Sequence, residues 1–76
     1  MIKITLKASE KIRAAIPRFE MILDAYFLQL LGPVEDTDAD VIELAVSAST
    51  FPVTRTVSGI AFDVFEDAVI SINIMA

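Results

Sequence analysis

Residues 2–7, Ile-Lys-Ile-Thr-Leu-Lys, alternate strictly between apolar and polar. Ile2, Ile4 and Leu6 fall on one side, Lys3, Thr5 and Lys7 on the other, the pattern of a strand with one buried face. The period then lengthens. Ser9 is a good N-cap, and Glu10 follows in the first turn, where a carboxylate suits the helix dipole. Ile12, Ile16, Phe19, Leu23, Tyr26, Phe27 and Leu30 then recur at helical spacing, within about 100° of one another, and predict one amphipathic helix. Gly32 is placed to end it and Pro33 to prevent its continuation. Pro17 lies inside, where proline costs about 3 kcal/mol. The apolar face stays in phase across it, so a kink without a change of direction is expected.

Residues 34–40, Val-Glu-Asp-Thr-Asp-Ala-Asp, read as an acidic loop. Alternation resumes with Ile42, Leu44, Val46 and Ala48 on one side and Val41, Glu43, Ala45 and Ser47 on the other. Pro52 punctuates. Residues 54–65 read as a third strand, with Val57 and then Ile60, Phe62 and Val64 inward. The change of parity at Ser58-Gly59 is what one inserted residue, a bulge at the glycine, produces. Ala61, Asp63 and Phe65 then face away from the core. After a turn at Glu66-Asp67, residues 68–75 alternate again, with Ile70, Ile72 and Ile74 inward and Ser71 and Asn73 outward. The predicted order is β-α-β-β-β. The fold class is α+β, one four-stranded mixed sheet with a single Pro17-kinked helix packed on one face, in a single domain 1–76.

Composition adds a tension. The chain is 55% apolar over 76 residues, with no cysteine. A domain this small buries only about 60–65% of the surface its unfolded chain exposes. Without disulfides it depends on a good core, on oligomerisation, or on both. The longest uncharged run, Leu44 to Thr54, is eleven residues, against about 20 for a membrane-spanning helix. The N-terminal residues lack the apolar core of a signal peptide. A cytoplasmic protein without membrane contact is expected.

Charge is uneven. Residues 1–30 carry a net +2, and residues 31–76, with Arg55 as their one cation, a net −7. An acidic chain is poorly suited to nucleic acid, which requires clustered Lys and Arg. It suits a basic protein partner, and it keeps an apolar chain soluble.

The absence of histidine and cysteine removes imidazole proton transfer, Cys–His and Ser–His–Asp catalysis, and thiolate or imidazole zinc sites. Asp36, Asp38 and Asp40 match positions 1, 3 and 5 of a calcium loop. Val41 then stands where the loop needs glycine, and Ser47 where it needs a bidentate glutamate. The two glycines, Gly32 and Gly59, form no phosphate-cradling loop. No catalytic residue, metal or cofactor is expected.

Three surfaces are candidates for a partner. On the back of the helix, Ala14, Met21 and Leu28 recur every seven residues with Ala25 nearby, a short seam suited to helix pairing. On the sheet face away from the helix, Ala45, Ala61 and Phe65 are the apolar members. The acidic loop offers Glu35, Asp36, Asp38 and Asp40. The expected function is a small acidic protein-interaction module, non-catalytic, binding itself as a homodimer or another protein. The alternative is an acidic inhibitor or decoy, of the kind phages and plasmids encode, occupying a basic site on a nucleic-acid-handling protein.

Overall fold

The computed structural model describes residues 1–35, 40–47 and 51–74. The first strand, β1, spans Ile2–Lys7, with Ile2, Ile4 and Leu6 fully buried as the alternation predicts. Helix α1 spans Glu10–Ala25. Its cap is the expected one: the Ile12 amide donates to Ser9 Oγ at 3.1 Å. Pro17 sits exposed within it and the helix continues through. Ile12, Phe19 and Leu23 are its buried residues.

The helix stops earlier than the apolar spacing suggests. The Phe27 amide donates to the Asp24 carbonyl and the Leu28 amide to the Leu23 carbonyl, each at 3.0 Å. These two bonds make a Schellman cap, which needs a left-handed residue between the helix and the exit. That residue is Phe27, at φ 60°, not the glycine sequence reading places there. Gly32 and Pro33 instead belong to β2, Leu30–Glu35. Leu30 pairs with Val46, so it leaves the helix stripe for the sheet.

Strand β3, Val41–Val46, alternates as expected, with Ile42, Leu44 and Val46 fully buried. Ala48, assigned to the same side, lies outside the described residues.

The expected third strand is a helix. Residues Phe51–Phe65 form α2. Val57, Ile60, Ala61, Val64 and Phe65 are buried, at the i, i+3, i+4, i+7, i+8 spacing of one helical face. The parity change at Ser58-Gly59 is therefore the helical period, not a bulge. Phe62 stands 55% exposed while Ala61 and Phe65 are buried, the reverse of the strand assignment. Val53, Thr54, Thr56, Val57 and Ile60 all favour strand geometry over helix. Packing on the sheet overrides that preference. Pro52 lies in the first turn, where its missing N–H is least costly. The Thr56 and Ser58 hydroxyls donate to the carbonyls of Pro52 and Thr54, one turn back. Gly59 is exposed, and a Cβ there meets nothing within 4 Å. Gly59→Ala is thus expected to stabilise the protein by about 0.5–1 kcal/mol, read from a urea midpoint. A bulge glycine would give a loss.

A short 3-10 turn, Glu66–Ala68, leads into β4, Val69–Ile74. The sheet order is β2-β3-β1-β4, and every neighbouring pair is antiparallel. The mixed sheet with one helix is thereby corrected to an antiparallel sheet with two. β1 and β2 flank β3, and β3 and β4 flank β1. The result is two interlocked split β-α-β units, the arrangement called ferredoxin-like. That arrangement hosts unrelated activities and assigns none.

Both helices cover one sheet face, and their buried residues join those of β1 and β3 in one cluster. Phe19 and Phe65 meet there with ring centroids 5.0 Å apart, tilted by 55°, a favoured aromatic geometry. No polar or charged side chain is buried among the described residues.

Candidate interaction surfaces

The outer face of α1 exposes Ala14, Met21 and Ala25. Leu28, the fourth member of the expected seam, lies beyond the helix end, half-buried against the core. The heptad repeat therefore breaks after Ala25. Met21 and Leu28 still come together, as apolar lining of an open groove of about 520 Å³ whose rim carries Glu20 and Asp24.

Large exposed apolar side chains run from the outer face of α1 into the start of β2. Met21 is 67%, Tyr26 55%, Phe27 98% and Leu31 54% exposed. Tyr26 and Phe27 continue the helical spacing in sequence and so read as core. The chain turns left-handed at Phe27 and releases both outward. Nothing in the apolar pattern marks this, because the signal for a Schellman cap is a glycine that is absent.

The open sheet face is polar. Lys3 Nζ and Glu43 Oε2 form an ion pair at 3.0 Å across β1 and β3, with both side chains over a third exposed. Such a pair contributes at most about 1 kcal/mol. Ala45 lies on this face, half-buried opposite Lys3. Ala61 and Phe65 do not, because both belong to α2 and pack in the core. An apolar stack on this face thus loses two of its three members.

In the acidic segment, Asp40 is exposed, and its carbonyl accepts from the Ala8 amide at 2.9 Å. Glu35 is the last residue of β2. Asp36 and Asp38 lie outside the described residues. A second groove, of about 660 Å³, opens between the start of α1 and the end of α2. Lys7, Lys11 and Arg18 line one part of it, Glu66 and Asp67 another. This juxtaposition follows from topology: the basic first half of the chain and the acidic second half meet at one end of the sheet.

The last strand also departs from expectation. Ile70 is 58% and Ile74 53% exposed. β4 occupies a sheet edge. Thr5 pairs with Ser71 and Leu6 with Val69, which leaves Ile70 as the extra residue of a bulge. Strict alternation concealed that shift.

Among the described residues, no three Asp or Glu side chains converge as a metal site, and no helix is long and apolar enough to cross a membrane. No family model, curated protein or solved structure matches this chain.

Proposed function

We propose that this protein is a small, non-catalytic protein-interaction module that self-associates and also presents an apolar corner to another protein. The observation carrying this reading is Phe27. A phenylalanine 98% exposed contributes almost nothing to the monomer core. Its φ of 60° costs about 1–2 kcal/mol for an L-residue with a Cβ. Glycine serves that cap better. A side chain that is costly to the monomer is explained by contact outside it, and large aromatics are typical interface anchors. Met21 and Tyr26, close by in sequence, are exposed apolar side chains as well.

The test compares wild type with Phe27→Ala in co-purification of a tagged chain with its protein partners. The variant keeps the backbone strain and removes only the ring. The expected result is a partner retained by wild type and lost by the variant. Identical partner sets contradict the use of Phe27.

A second reading, the decoy for a basic protein, is favoured by the exposure of Asp40, Asp63, Glu66 and Asp67 within the segment of net −7. It predicts a complex that weakens steeply with salt and with neutralisation of Asp36, Asp38 and Asp40. A complex indifferent to both contradicts it.

A further inference from the structure

The two edges of the sheet are unlike. An edge strand offers unpaired backbone N–H and C=O groups to any other chain, and proteins usually block it with charge, proline or irregularity. Both edge strands carry a register shift, but at one edge β2 also carries Pro33, which has no N–H. At the other edge, β4 reads Val-Ile-Ser-Ile-Asn-Ile, with no charge, no proline and no glycine. Its bulge lies at Ile70, near the start. Ser71, Ile72, Asn73 and Ile74 stay in regular register with Thr5, Ile4, Lys3 and Ile2.

We propose that two copies of this chain pair antiparallel through their β4 edges, about a dyad at Ile72, into one eight-stranded sheet. The occupant is identified by the sequence of the edge itself. Ile70-Ser71-Ile72-Asn73-Ile74 is palindromic in character. Paired antiparallel about Ile72, it sets Ser71 against Asn73 of the other copy and brings the bulged Ile70 alongside Ile74. The two exposed isoleucines, at 58% and 53%, then cover one another. Asn73 Nδ2 already lies 3.5 Å from Ser71 Oγ within one chain, a marginal bond that a second copy replaces with direct cross-strand pairs. A two-fold contact of this kind is isologous and closes at two copies. The blunted β2 edge prevents further growth of the sheet. Charge is no obstacle, because the carboxylates Glu66 and Asp67 precede the strand. This inference rests on the self-association half of the proposed function.

The chain has no cysteine, so single cysteines at positions 70–74 report the register directly. On the dyad, the Cα atoms of opposed residues stand about 4.5–5.5 Å apart, within disulfide reach. Under mild oxidation at micromolar concentration, Ile72→Cys is expected to form covalent dimer fastest of the five. Equal rates at all five positions, or a maximum elsewhere, overturn the dyad. A second pair of variants needs no cross-link. Ile70→Lys with Ile74→Lys places ammonium opposite ammonium at both ends of the contact, and the dimer is lost. Ile70→Lys with Ile74→Glu places opposite charges there, and the dimer returns. Both positions are more than half exposed, and circular dichroism checks that each variant keeps its fold. A dimeric wild type whose double-lysine variant stays dimeric overturns the β4 edge and leaves self-association standing. A monomeric wild type removes both.

Discussion

Phe65→Ala is expected to cost about 3–5 kcal/mol, while Phe62→Ala, three residues earlier, costs less than about 1 kcal/mol. Phe65 is 1% exposed and meets Phe19 at 5.0 Å, whereas Phe62 is 55% exposed. Total stability for a domain this size is about 4–11 kcal/mol, at 0.05–0.15 kcal/mol per residue. Loss of Phe65 therefore consumes a large fraction of it, because the vacated space lies where α1 and α2 meet over the sheet. Chemical denaturation of the two variants checks the contrast. If residues 54–65 were a strand, Phe62 would be the inward ring and the order of the two effects would reverse. The pair thus tests the second helix as well as the core.

Phe27→Gly is expected to raise stability by about 1 kcal/mol, a rise in Tm of roughly 4–8 °C for a domain of this length. Replacing a phenylalanine usually destabilises. Here the ring is 98% exposed and the backbone sits at φ 60°. Glycine relieves the strain and forfeits almost no burial. Phe27→Ala separates the two contributions, since alanine keeps the Cβ and hence the strain. Its stability is expected to stay near that of wild type. A fall in Tm for Phe27→Gly means that the ring has a partner within the monomer, and the case for Phe27 as an external anchor then fails.

The parts legible in sequence are those in which one period runs unbroken. Strand β1, the Ser9 cap, the first part of α1 and strand β3 all follow from spacing and end-capping chemistry. The departures have specific physical causes. Ile60, Phe62 and Val64 alternate, and the segment is rich in β-branched residues, so a helical face at Val57, Ile60, Ala61, Val64 and Phe65 reads in sequence as a bulged strand. Tyr26, Phe27 and Leu30 extend the helical stripe by spacing alone, but a Schellman cap with phenylalanine at its left-handed position ends the helix first. Ile70 keeps perfect alternation in sequence and loses it in space to a bulge against β1. For α2 and for Ile70 a non-local contact decides between two patterns that the local sequence permits, whereas α1 is ended by a local cap that no glycine announces.

The candidate surfaces divide in the same way. Ala14, Met21 and Ala25 were legible as the outer side of a helix, because an exposed face follows once the buried one is known. Leu28 was not, because it lies past the true end of α1. Ala61 and Phe65 fall on an open sheet face only if residues 54–65 form a strand, and they form α2 instead. The β4 edge was illegible, since which strand stands at an edge depends on the order β2-β3-β1-β4. Its palindrome acquires meaning only once that order is known.

Sedimentation equilibrium of the wild-type chain across the micromolar range decides whether two copies associate. Pairing through β4 gives a species of twice the 8.3 kDa chain mass that persists at high salt, because the contact carries no charge. A single species of 8.3 kDa at every concentration contradicts it.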